Sequence, residues 1–341
     1  MRALIDKLNK DKALTVDEYR ALIENPDMQY AKKLAREVNA YGNRVFIRGL
    51  IEISNICKND CLYCGIRASN KDCERYRLTK EDILSCVDTG YPLGFRTFVL
   101  QGGEDGYYTD DAVCDIVSEI KSRYPDCAVT LSLGERGYNS YKRMYDAGAD
   151  RYLLRHETAD REHYGRLHPD KMSFDARMEC LYNLKEIGYQ VGAGFMVGSP
   201  YQTSGTLAKD MKFIEEFSPN MCGIGPFLPH GATPFGKMPA GDSDLTVYLL
   251  SLIRIMKPKI LLPATTALGT ASSDGRERGI LAGANVIMPN LSPENTRKKY
   301  ELYDNKLSSG AEAAENLREL KQKMKNIGYE IVVSRGDNYD V

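Results

Sequence analysis

The chain has 341 residues, 43% hydrophobic and 27% charged, which suits one α/β barrel with additions at its ends. A formal net charge of −1 excludes a global pull toward nucleic acid or an anionic membrane, so any anion site must be local. Met1 opens no basic-then-apolar leader, and no apolar run is long enough to cross a bilayer. A cytoplasmic location without membrane or nucleic-acid partners is therefore expected. Nine cysteines, an odd number with no secretion signal, argue against a disulfide scaffold.

Residues 1–42 read as helical. Thr15 and Glu18 have the spacing of a capping box, and the stretch from Tyr30 to Tyr41 stops at Gly42. This N-terminal helical extension is taken to residue 47. From Arg48 the pattern becomes apolar strand, loop, amphipathic helix and glycine, repeated as far as Tyr303. After Thr109, for example, Val113, Ile116, Val117 and Ile120 share one helix face. Gly148, Gly188 and Gly283 each close a helix before the next apolar run, as left-handed caps do. Residues 304–341 read as a C-terminal helical segment.

Apolar runs begin near Leu50, Phe98, Val129, Tyr152, Val191, Cys222, Ile260 and Val286. About eight strands alternating with helices predict a closed (β/α)8 TIM barrel over residues 48–303. An open doubly wound sheet fits less well, because no Gly-x-Gly-x-x-Gly opens the first unit. In a barrel, chemically loaded residues belong just after the strands.

The first such loop carries Cys57, Cys61 and Cys64, with Tyr63 beside the last cysteine. A zinc site would need a fourth ligand, and none lies nearby in sequence. Three thiolates on one short loop suit a [4Fe-4S] cluster whose fourth iron has no protein ligand. After the second strand come Gln101, Gly102, Gly103 and Glu104, where glycines admit a ligand to the backbone and a carboxylate can accept from an ammonium. Glu157, after the fourth strand, is placed to take two ribose hydroxyls, with a solvated loop acid as the alternative. Arg177 opens a later helix, and a fork to a carboxylate competes there with an ordinary surface role. The glycine-rich fifth strand, Val191 to Gly198, offers backbone for adenine to lie against, although barrel packing also uses small residues. Met288 is either an adenine contact or a core methionine.

The Cys57-x3-Cys61-x-Tyr63-Cys64 motif after a first barrel strand resembles the signature of the radical S-adenosylmethionine superfamily. The resemblance implies one [4Fe-4S] cluster and S-adenosylmethionine, cleaved reductively to a 5′-deoxyadenosyl radical. It gives Gly102, Gly103 and Glu104 the methionine amine, with Tyr63, Glu157, Arg177, Met288 and Tyr300 as further cofactor contacts.

Within that superfamily, residues 153–159, 223–230 and 263–270 resemble the [FeFe]-hydrogenase maturases, with biotin synthase and methylornithine synthase as neighbours. The matching places for a second biotin-synthase cluster hold no cysteine, and neither does the segment from Glu301 to Val341, so a single cluster is expected. The maturase resemblance implies hydrogenase H-cluster assembly on a cysteine-ligated Fe(CO)2(CN) species. It also implies a cavity lined by Arg48, Gln101, Arg151, Arg155, Thr265, Thr266 and Tyr303, with barrel-layer ion pairs as the alternative for the arginines. It further implies a flavodoxin- or ferredoxin-type electron donor, possible contact with other hydrogenase maturases, and a monomer. A methylornithine-type amino-acid mutase and a non-catalytic iron–sulfur scaffold are the alternatives.

Overall fold

The structure, a computed structural model, describes residues 1–307 and 313–338. Three helices open the chain: Arg2–Asp11, Val16–Glu24 and Met28–Val38. The second begins at Thr15 with the capping box that the spacing predicts. These helices lie on the outside of two barrel helices, Ser204–Phe217 and Ser243–Met256. Being covered on both sides, Ser243–Met256 is buried without a break from Thr246 to Met256, which is why it carries no polar stripe.

The strands, in chain order, are β1 (Arg44–Ile47), β2 (Gly49–Ser54), β3 (Thr97–Gly102), β4 (Ala128–Ser132), β5 (Arg151–Leu153) and β6 (Gln190–Ala193). After these come β7 (Met196–Val197), β8 (Met221–Cys222), β9 (Gly225–Pro226), β10 (Val286–Ile287) and β11 (Glu330–Val332). A parallel sheet runs β2-β3-β4-β5-β6-β8. Single bridges complete the round: Met221 to Leu261, Pro263 to Val286, and Asn290 back to Leu50. The seventh position is thus held by backbone bonds around Leu261 and Pro263 rather than by a full strand.

Alternation decides what each barrel residue faces. Ile51, Ile53, Phe98, Leu100, Val129 and Leu131 point outward into the apolar core under the helices. Val99 and Thr130 face the barrel interior, where a cavity of about 20 Å³ remains. Gly148, Gly188 and Gly283 adopt φ of +109°, +106° and +106°, as left-handed helix caps.

Two features depart from the sequence reading. β1 lies inside the N-terminal segment expected to be helical, and β11 lies inside the C-terminal one. Both join β10 in a small parallel sheet below the barrel. Part of the expected C-terminal helical segment, 308–312 and 339–341, lies outside the described residues. The rest includes a helix, Leu317–Asn326.

Beyond β11 the chain turns under the N-terminal mouth of the barrel and plugs it. Asn338 Nδ2 donates to the carbonyls of Asn220 and Lys259. Asp337 accepts from Gln190 and from the fully buried Arg151, whose Nη2 is 2.6 Å away. Burial alone would raise the Asp337 carboxyl, but Arg151, Gln190 and Arg335 together hold it below its ordinary value of 3.8. A carboxyl lowered in the folded state stabilises fully above its unfolded value, and that contribution fades as pH falls through the folded one. Asp337→Ala should therefore cost about 1–3 kcal/mol, read from urea unfolding near neutral pH, because it leaves Arg151 buried without a carboxylate. The gap between parent and variant should narrow below about pH 4.

Candidate active site

A cavity of about 310 Å³ opens at the C-terminal mouth of the barrel. Its wall brings together Cys57, Cys61, Tyr63, Cys64, Gln101, Gly102, Gly103, Glu104, Arg155, Glu157, Arg177, Thr265, Tyr300 and Tyr303. These residues come from segments far apart in sequence, most of them at or just beyond the C-terminal ends of strands, with Arg177 reaching in from helix Phe174–Ile187.

The cysteine loop is shaped by polar clasps rather than by packing. Arg67 grips Asp60 through two hydrogen bonds of 2.7 and 2.6 Å. Arg75 donates to the carbonyls of Asn55, Ile66, Arg67 and Asn70, which turns the loop around one guanidinium. Asn55 receives the Tyr76 amide and donates to the carbonyls of Glu74 and Lys299. The loop is thus held from outside, and its three cysteines line the cavity.

Burial pushes the Cys61 thiol up to about 12 and Cys64 well above its ordinary value. Such thiols are poor nucleophiles, and a cation's field is what makes them thiolates. Among the described residues no three His, Cys, Asp or Glu side chains converge on one metal ion. All three thiols line one cavity, which suits a cluster in which each thiolate takes a separate iron. One sulfur already has a donor, since the Glu104 amide lies 3.4 Å from Cys57 Sγ.

The end of β3 is pressed onto this loop. A Cβ on Gly103 would lie 2.3 Å from the Ile56 carbonyl oxygen and 2.8 Å from Cys57 Cβ, so only glycine fits. Asp105 fixes the turn, accepting from Arg77 twice and from Ser54 Oγ. Glu104 Oε1 accepts from the Glu135 amide. Oε2 is buried without a hydrogen bond, with Lys58 Nζ 3.1 Å away but off the bonding direction. Gly134, at φ +76°, makes room for the Glu104 side chain, which a Cβ there would meet at 2.0 Å.

Glu157 adopts φ +65°, a left-handed backbone that costs a non-glycine residue about 1 kcal/mol or more. The surroundings enforce it. The Glu157 amide donates to Gly194 O, and the preceding His156 is buried against Phe195 and Phe213 with Nε2 3.3 Å from Asp210. Arg177, which lines the cavity, donates to Glu135 through Nε and to Arg155 O through Nη1. Arg155 Nε and Thr265 Oγ1 are buried without hydrogen bonds, and Arg155 Nη2 lies 3.2 Å from Glu157 Oε2 as an ion pair off the bonding direction. Tyr300 is buried, with its hydroxyl 3.4 Å from Gln101 Nε2.

Four expected contacts lie elsewhere. Arg151 starts its strand at the opposite end of the barrel and is spent on Thr97, Gln190 and the C-terminal plug. Arg48 and Met288 line the small inner cavity, separate from the upper one. Thr266 begins helix Thr266–Ala271 and is not part of the cavity wall, although Thr265 and Ala267 are. The glycines of the fifth strand serve packing. A Cβ on Gly194 would meet Gly223 O at 2.0 Å, and one on Gly192 would meet Leu153 at 2.6 Å.

One group escaped the sequence reading. Glu52, fully buried inside the barrel, accepts from Lys306 Nζ at 2.5 Å and from Asn290 at 2.8 Å. Lys306 also lies over the Tyr300 ring, so this ion pair ties the segment bearing Tyr300 and Tyr303 to the first barrel strand. A lone acid within the apolar run Ile51-Glu52-Ile53 was the signal for it.

Residues 51–214 match the model of the Radical SAM superfamily. The [FeFe] hydrogenase maturase subunit HydE of Thermotoga maritima is 48% identical over 277 residues, 81% of this chain and 79% of that one. The 3-methylornithine synthase of Methanosarcina barkeri is 30% identical over 89% of this chain and 87% of its own length. Among solved structures, methylornithine synthase (PylB) superposes with a TM-score of 0.84 at 28% identity, covering 96% of this chain and 97% of that one. The chain belongs to the radical S-adenosylmethionine superfamily and, within it, to the family of the [FeFe] hydrogenase maturase subunit HydE. It is accordingly an enzyme that cleaves S-adenosylmethionine with a [4Fe-4S] cluster, and the three cysteines around the cavity fit that cluster.

Reconstituted protein should hold about four irons per chain, as one cluster on three thiolates requires. Gly103→Ala should fall well below that in iron analysis, since its methyl group drives Ile56 and Cys57 out of place.

Proposed function

We propose that this chain acts in assembly of the [FeFe]-hydrogenase H-cluster, as a radical enzyme on a cysteine-ligated Fe(CO)2(CN) species held in the upper cavity. The observation that carries the proposal is the set of unpaired donors on the cavity wall. Arg155 Nε and Thr265 Oγ1 are buried yet make no hydrogen bond, and Arg155 Nη2 meets only the Glu157 carboxylate, 3.2 Å away. Leaving such donors dry costs about 1–3 kcal/mol each, which a ligand rich in acceptors returns. Cyanide and carboxylate groups are such acceptors, and a guanidinium suits them better than it suits an ammonium.

The flanking residues take up the cofactor. Glu104 Oε2 accepts from the methionine ammonium, with Gly102 and Gly103 admitting it to the backbone. Arg177 meets the carboxylate, Glu157 takes the ribose hydroxyls, and the rings of Tyr63 and Tyr300 keep water from the adenosyl group. Bound together, cluster and S-adenosylmethionine supply a one-electron cleavage of the sulfonium carbon–sulfur bond. Gln101, Arg155, Thr265 and Tyr303 orient the guest beneath. The catalytic unit is residues 48–303, flanked by 1–47 and 304–341. It works as a cytoplasmic monomer with a flavodoxin- or ferredoxin-type donor, in contact with other maturases.

A second reading, a methylornithine-type amino-acid mutase, is supported by the likeness to 3-methylornithine synthase across nearly the whole chain. It needs an acid for a free amino group beneath the cofactor. The two acids of the cavity wall, Glu104 and Glu157, are taken up by the cofactor, which leaves Arg155 and Thr265 facing the guest. A scaffold that only carries cluster has the least support.

Incubation with dithionite and S-adenosylmethionine should yield 5′-deoxyadenosine, and the iron–cysteine species should raise the yield where lysine does not. Methylornithine formed from lysine would overturn the first reading, and no 5′-deoxyadenosine above background would favour the scaffold. Arg155→Met should lower kcat/KM for the iron species about 100-fold and change S-adenosylmethionine binding less than about 3-fold.

A further inference from the structure

Segment 167–172 joins helix Arg161–Leu167 to helix Phe174–Ile187, the helix that carries Arg177. It grips the cysteine loop at four points. The Leu62 amide donates to Leu167 O at 3.0 Å, and Lys171 Nζ donates to Lys58 O at 3.2 Å. The Tyr63 hydroxyl lies 3.2 Å from His168 Nε2, and Met172 Sδ lies 3.7 Å from Cys61 Sγ. A turn closed by the Met172 amide on Pro169 O brings the thioether back over the cysteine.

The tautomer of His168 follows from its neighbours. Nδ1 is 3.0 Å from the Tyr164 carbonyl oxygen, which can only accept, so Nδ1 carries the proton. Nε2 is then an acceptor, and Tyr63 donates to it. The buried imidazole is held between two rings, stacked on Tyr164 at 4.0 Å and edge-on to Tyr63 at 5.5 Å. Tyr63 therefore has one fixed orientation beside the cysteines. The sulfurs have different neighbours. Cys57 faces a backbone N–H, whereas Cys61 has the Met172 thioether as its cover, with the Tyr63 hydroxyl and the Arg177 guanidinium also within its field.

We propose that segment 167–172 is the wall that keeps water and dioxygen from the Cys61 side of the cluster, with Met172 as its shield and His168 as the positioning residue for Tyr63. This rests on the cluster reading given above.

Reconstituted protein exposed to air reports the wall through decay of its visible iron–sulfur absorbance. Met172→Ala, loaded to the same iron content, should bleach about 5-fold faster than the parent, and Met172→Leu should stay within about 2-fold. Equilibrium dialysis of S-adenosylmethionine tests the second half. His168→Phe and Tyr63→Phe should each weaken binding about 5-fold, and the double variant should be no weaker than either single one. This cycle also decides the matter if Met172→Ala takes up no iron. Equal bleaching of parent and Met172→Ala, equally fast bleaching of Met172→Leu and Met172→Ala, or additive losses in the double variant would overturn the proposal. A parent that takes up no cluster would overturn the cluster reading and this inference with it. A loaded parent indifferent to Met172→Ala overturns the inference alone.

Discussion

The contact on which the rest depends is backbone against backbone. At the mouth of the barrel, Gly103 lies so close to Ile56 and Cys57 that no side chain can come between them. The cysteine loop is thereby indexed to the end of β3. Glu104, the next residue, turns toward the cavity with its amide on Cys57 Sγ. Moving either partner by the width of a methyl group would shift thiols and carboxylate together. Precision of this kind suits a site that must hold a cluster and a chelating cofactor in one register.

The surrounding structure reads as support for that contact. Arg75, Arg67 and Asn55 hold the loop from outside, and Asp105 with Arg77 holds the turn after β3. The strained backbone at Glu157 is tolerated because the Gly194 carbonyl, His156 and Asp210 surround it. At the far end, Asp337 and Asn338 close the barrel against water. The cavity is therefore entered from the cluster side, and no described helix is long and apolar enough to cross a membrane.

Much of this was legible in the sequence because the signals were local. The cysteine spacing, the glycines closing helices and the 3.6-residue stripes each depend on neighbours within a few positions. The strand count was readable for the same reason, although position seven holds only through bridges. What stayed hidden was depth. Arg48, Arg151 and Arg155 look alike in sequence, yet their places along the barrel axis separate them. Arg155 reaches the upper cavity, Arg48 the small inner one, and Arg151 the plug. Glycines 192 and 194 likewise cannot reveal whether a ligand or a neighbouring strand comes close, and here the strand does. Glu52 and Lys306 are separated by most of the chain, so only the fold could pair them.

In the function proposed above, three thiolates leave one iron open toward the cavity for the methionine end of S-adenosylmethionine. Electron–nuclear double resonance on the reduced protein tests it directly, using S-adenosylmethionine labelled with 15N at the amine and 17O at the carboxylate. Strong hyperfine coupling to both labels is predicted, lost in Cys61→Ala. A reduced cluster that shows no coupling to either label would contradict the account.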